Sequence, residues 1–188
     1  MITMHRRLER CRSRLRERQA LTVTELLLVV ALIGILSAVS ISNSLELWRR
    51  ERLNGVALEL EGWLEGISRM PERNGTSCEV TISSGTLAGG QTLATVSPTS
   101  CAANATLVVP VILRSDNLSV GASATSWSFT PRMAIDSSSD VHIRLAFSGS
   151  APVRCVRVSA TLGLLRIGRN DSSSSTAVDC PSTQFDRI

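Results

Sequence analysis

Residues 20–41 form an apolar run in which Glu25, at the leading edge, is the single charged side chain. An arginine-rich segment precedes it, with Arg6, Arg7, Arg10, Arg12, Arg14, Arg16 and Arg18 outweighing Glu9 and Glu17. As a helix, Leu21 to Ile41 would span ~31 Å, enough to cross a bilayer core. The arginines then place residues 1–20 in the cytoplasm and the C-terminal bulk across the membrane. A secretory signal peptide shares the basic start and apolar core, and Ser37-Ala38-Val39-Ser40 could loosely serve as its cleavage site. The acid at the front of the run and the length of the run argue against that reading.

The same residues resemble the N-terminus of type IV prepilins and type II secretion pseudopilins. In that family a basic leader is cut before a hydrophobic helix whose fifth mature residue is glutamate. A cut between Ala20 and Leu21 makes Glu25 the fifth residue here. The family usually has glycine before the cut and phenylalanine after it, where this chain has alanine and leucine. The resemblance implies removal of residues 1–20 by a prepilin peptidase and N-methylation of Leu21. It also implies that Glu25 neutralises the N-terminal ammonium of a neighbouring subunit during assembly. Physics supports a role for such a carboxylate, because a buried charge persists only when paired. The plainer alternative is a carboxylate snorkelling to the cytoplasmic interface.

Composition excludes several classes. Every one of the 20 basic residues is arginine, and tyrosine is absent. Seven arginines would leave with the leader, so the remaining chain carries about one net negative charge and is not a globally basic nucleic-acid binder. The residues beyond the anchor suffice for one modest domain. Cys11 would be lost with the leader. Cys78, Cys101, Cys155 and Cys180 remain, an even set suited to an oxidising compartment. Three pairings are open, and Cys78–Cys101 with Cys155–Cys180 is preferred because each closes a short loop. A zinc site is not expected, since no CxxC occurs and His142 is the only histidine beyond the leader. No cofactor is expected, nor is catalysis, because a lone strand histidine offers no positioned base for a nucleophile.

Beyond the anchor, Leu53, Val56, Leu60, Trp63, Ile67 and Met70 recur at helical spacing and predict an amphipathic continuation over 42–71. Pro71 is expected to end it, and Asn74-Gly75 to turn the chain. Strands are predicted at 77–83, 92–96, 107–113, 126–130, 141–147, 153–159 and 164–168, separated by Gly, Ser, Asn and Pro clusters. Gly85 to Gly90 and Asp136 to Asp140 read as loops, and Ser172 to Ser175 as a low-complexity surface segment.

Residues 125–169 sharpen the resemblance. Trp127-Ser-Phe129-Thr-Pro131-Arg132, then Val141–Phe147, then Arg154 to Gly168 look like the C-terminal half of the GspH/FimT minor pilin domain. The arginine which that family places after the glycine of its closing motif is leucine here, in Gly163-Leu164-Leu165-Arg166. FimT-like pilins implicated in DNA uptake use arginines in this region. Arg154, Arg157, Arg166 and Arg169, with Arg144, give a local basic excess with no acid between 141 and 169. Phosphate contacts from such a set would be weak, salt-sensitive and blind to sequence. An ordinary solvated sheet face, or a surface docking on an acidic neighbour, is the plainer reading.

These observations predict an α+β chain in four parts. They are a cytoplasmic leader (1–20), a transmembrane or filament-core helix (21–41), its amphipathic continuation (42–71) and a small antiparallel β-rich domain (72–188) in a pilin fold. The expected function is a structural subunit of a type IV pilus or type II secretion pseudopilus. Expected partners are a prepilin peptidase, other pilins or pseudopilins, the assembly platform and the inner membrane. The expected location is single-pass in that membrane, with the domain in the periplasm. A tip subunit that binds DNA is the alternative from another class. An unrelated single-span protein whose leader is never cut is the third reading.

Overall fold

The computed structural model describes residues 22–111, 117–147, 152–171, 180, 181 and 185, the side chains of 38–46 excepted. The leader 1–20 with Cys11, the cut at Ala20 and Leu21, the methylation of Leu21, and Ser172 to Ser175 all lie outside the described residues. The chain divides into two compact units, Met1–Leu45 and Glu46–Ile188.

A 46-residue helix, α1 (Val23–Ser68), supplies the described part of the first unit and opens the second. Thr22 starts it: its Oγ1 accepts the Glu25 backbone N–H at 3.3 Å, and its carbonyl accepts the Leu26 N–H at 3.1 Å. Threonine at the cap with glutamate three residues on is the capping-box pattern, and the acid suits the positive end of the helix dipole.

In the second unit the helix is amphipathic as the spacing predicts. Leu53, Val56, Ala57, Leu60, Leu64 and Ile67 are buried. Trp63 is only half-buried, and its indole N–H donates to the Asn104 carbonyl at 3.0 Å. Pro71 does not end the helix. α1 stops at Ser68, and Pro71 falls in the first turn of a short helix α2 (Met70–Asn74). A proline is tolerated there because its missing N–H would have had no helical acceptor. Gly75 ends α2 in the left-handed region at φ 66°, its N–H bonded to the Pro71 carbonyl.

Among the described residues nine strands follow: β1 (Cys78–Ile82), β2 (Gly85–Leu87), β3 (Thr92–Ser97), β4 (Thr106–Val108), β5 (Leu118–Ala122), β6 (Ser126–Phe129), β7 (Val141–Phe147), β8 (Val153–Val158) and β9 (Leu165–Asn170). They form two sheets, ordered β4-β3-β1-β6 and β2-β5-β7-β8-β9, and every pairing is antiparallel. One core joins the buried stripe of α1 to Val80, Leu93 and Phe129 of the first sheet and Leu118, Ile143 and Val156 of the second. Each fully buried aliphatic or phenylalanine side chain contributes ~1.5–3 kcal/mol of transfer free energy, which offsets the glycines in the helix.

β8 is buried on both faces, and alternation explains how. Val156 and Val158 join the main core, whereas Val153 and Cys155 pack with Ala146, Cys180 and Phe185 in a second cluster. The C-terminal residues Cys180 and Phe185 thus cover the outer side of β8. Disulfides join Cys78 to Cys101 and Cys155 to Cys180. β2 and β5 have no counterpart in the strands expected from sequence; Gly85–Leu87 pairs with Leu118–Val120 where a loop is predicted.

The expected architecture is corrected in two respects. Among the described residues the body has nine strands in two antiparallel sheets, where seven strands are expected. Among the described residues no helix is long and apolar enough to cross a membrane. After its apolar stretch α1 carries Glu46, Arg49, Arg50, Glu51 and Arg52 in close succession. The transmembrane anchor at 21–41, the pilin fold built on it and the single-pass inner-membrane placement are overturned together.

Candidate functional site

Two surfaces carry the residues singled out from sequence, one in each unit. In the first unit, large apolar side chains of α1 stand exposed on every side of the helix. Leu26, Leu27, Leu28, Val29 and Val30 are consecutive, and each is at least 45 % exposed. Glu25 lies exposed in the first turn beside them. Soluble monomers rarely leave so large an apolar surface uncovered, and a helix apolar all round is normally buried.

In the second unit the four arginines part company. Arg154 is buried, with its side chain 2 % exposed. Its Nε donates to Asn54 Oδ1 on α1, and one terminal nitrogen donates to the Val153 carbonyl at 2.9 Å and pairs with Asp171 Oδ1 at 2.7 Å. It is a structural cation, with its charge met by an amide, a carbonyl and a carboxylate.

Arg157 is about one-third exposed and is held by Asp140, to whose Oδ2 both its Nε and a terminal nitrogen donate. Oδ1 of the same carboxylate accepts the Ala160 backbone N–H at 2.8 Å. That backbone bond, and then Arg157, hold the Asp140 carboxyl below the usual carboxylate range. Arg166 and Arg169 alone stand exposed, on β9, the last strand of its sheet. Neither has an ion-pair partner among the described residues.

Beside these two arginines lies a groove of about 360 Å³ between β9 and α1, with Asn54, Ala57, Leu58 and Ile167 also in its lining. Glu61 faces the same groove, and burial, then the nearby Glu65, raise its carboxyl above the usual value. Leu58 is 57 % exposed at the groove. The hairpin before β9 turns at Gly163, whose φ is 58° and whose N–H donates to the Ser159 carbonyl at 2.9 Å. Leu164, at the place where the resembling family has arginine, is exposed.

His142 makes a bond of its own kind: its Nδ1 accepts the Cys180 backbone N–H at 3.4 Å. Among the described residues no three His, Cys, Asp or Glu side chains gather as a metal site would need. Sequence reasoning missed Asn54, Asp140 and Asp171, the groups that engage Arg154 and Arg157. It also missed the cap at Thr22, although Thr22-Val-Thr-Glu25 carried a legible capping-box signal.

No family model, curated protein or solved structure matches the chain.

Proposed function

We propose that the protein is a structural subunit of a filament, of the minor pilin or pseudopilin kind, matured by a prepilin peptidase. The observation that carries this reading is the run of exposed apolar side chains on every side of α1 from Val23 to Leu36. Burying that surface among equivalent helices of neighbouring subunits would contribute ~25 cal/mol per Å² of apolar area removed from water. The Glu25 carboxylate at the head of this segment would then need a cation, and a neighbour's N-terminal ammonium would supply one. The two disulfides suit a domain that works in an oxidising compartment.

Glu25→Ala tests this reading. The variant should be cut like the wild type between Ala20 and Leu21, seen by intact mass, but should be depleted from sheared filaments by immunoblot. Wild-type recovery in the sheared fraction, or an N-terminus beyond Ser37, would overturn the reading. The alternative of a DNA-binding tip subunit is weakened by the arginines themselves. Arg154 is buried and Arg157 is paired, which leaves Arg166 and Arg169.

A further inference from the structure

We propose that the groove between α1 and β9 receives the Leu47–Trp48 corner of a second copy of this chain, with the second copy's Glu51 set against Arg166 and Arg169. The proposal rests on the filament reading and names the contact through which its globular units would join.

Leu47 and Trp48 are 58 % and 63 % exposed, the outstanding apolar projection at the start of the second unit. The Arg52 guanidinium lies 5.9 Å from the Trp48 ring centre and steadies the indole from one side. Glu51 lies three residues beyond Trp48 and four beyond Leu47, so all three share one helix surface. Glu51 is exposed and has no ion-pair partner among the described residues. The projection therefore offers an apolar body with a free carboxylate one turn away.

The groove is its complement. Ala57, Leu58 and Ile167 supply apolar walls, and beside the Glu61 carboxylate Arg166 and Arg169 bring two guanidiniums that have no ion-pair partner among the described residues. Tryptophan and arginine are the side chains that most often dominate an interface. A molecule does not fill its own groove with Trp48. The nine residues from Trp48 to Ala57 span roughly 14 Å of helix, and Trp48 is not part of the lining. Projection and groove are different surfaces of one chain, so the contact is heterologous. Such contacts repeat as open helical arrays unless the rotation happens to close a ring.

The test uses the full chain. With p-benzoylphenylalanine in place of Trp48, and light and heavy chains mixed, irradiation should give adducts of one light and one heavy copy, joined within 54–61 or 165–169. Sedimentation equilibrium should show Glu51→Arg weakening self-association at least tenfold, and Arg166→Glu with Arg169→Glu doing the same. The three substitutions together should recover most of the loss, while thermal unfolding stays near wild type. Adducts on another surface, or a triple variant as weak as its parents, would overturn the proposal. So would an Arg166/Arg169 variant that loses duplex DNA retardation but self-associates normally. Failure here is separable from failure of the filament reading. If only this contact is wrong, Trp48→Ala enters sheared filaments normally while Glu25→Ala does not. If the filament reading is wrong, Glu25→Ala enters them as well.

Discussion

Asp140 and Arg157 meet side-on, with Arg157 Nε donating to Oδ2 at 2.8 Å while Oδ1 of the same carboxylate takes the Ala160 N–H at 2.8 Å. The aspartate thus ties the start of β7 to the end of β8 at the point where the chain turns toward β9. Its pKa is depressed, so its contribution to stability is present above the unfolded value of ~3.9 and is lost as pH falls through the folded one. Asp140→Asn should cost on the order of 1 kcal/mol at neutral pH. The gap from wild type in thermal unfolding should shrink as the pH is lowered below ~4. A gap that stays constant down to pH 2 would contradict a charge-based role.

Glu61 runs the other way. Burial and Glu65 raise its pKa, so the folded state favours the protonated form. Its unfavourable contribution is absent well below the unfolded pKa of ~4.3 and appears as pH rises past it. Glu61→Gln should therefore raise the unfolding midpoint slightly at pH 7 and leave it unchanged near pH 3. A lower midpoint at pH 7 would show that the carboxylate has a stabilising partner.

Arg154 and Asp171 make an asymmetric pair, since the arginine side chain is 2 % exposed and the aspartate 47 %. Surface position alone predicts little effect of Asp171→Ala. The burial of its partner predicts a larger one, ~3 kcal/mol, because the guanidinium cannot move into water when its counter-ion goes. Arg154→Met, which removes the charge and keeps much of the volume, should cost less than Arg154→Ala. Urea unfolding of the three variants checks the order, and an Asp171→Ala variant within 0.5 kcal/mol of wild type, by the same order-of-magnitude scale, would refute it.

Legibility followed the range of the forces involved. β7 was readable because Val141, Ile143, Leu145 and Phe147 alternate, and they are buried in the structure as a half-buried strand requires. The helical stripe was readable for the same reason: Leu53, Val56, Leu60 and Ile67 are buried, Trp63 and Met70 pack partly buried against the same core, and Ala57 and Leu64 complete it. β2 and β5 were not readable, because Gly85, Gly121 and the serines around them carry weak strand propensity and the pairing of the two strands is tertiary. The role of Arg154 was invisible because Asn54, one of its partners, lies 100 residues away in sequence. Apolar periodicity found the same run of leucines that now stands exposed on α1.

The Cys155–Cys180 bond closes a separation of 25 residues and fastens Cys180 in the cluster with Ala146, Val153 and Phe185. The chain-entropy account assigns such a loop ~3 kcal/mol. The paired variant Cys155→Ser with Cys180→Ser should lose about that amount, and the Phe185 amide should gain faster exchange than those of β1. Exchange that accelerates equally in both places would mean the bond stabilises the unit as a whole rather than this cover.

Glycines in this chain should respond to alanine with opposite signs. At Gly163 the φ of 58° strains an L side chain, and a Cβ there would sit 2.5 Å from the Met133 carbonyl oxygen. The obstacle is backbone, and Met133 itself has a φ of 61°, so neither side yields cheaply. Gly163→Ala should destabilise by ~2–3 kcal/mol. Gly55, Gly62 and Gly66 are exposed in α1, and a Cβ at each would meet nothing within 4 Å. Alanine should stabilise the isolated chain there by ~1 kcal/mol per site, through helix propensity alone. Chemical denaturation at low protein concentration, where self-association is absent, separates the two classes. Destabilisation at Gly55, Gly62 or Gly66 under those conditions would show that the helix backbone is approached within a single chain.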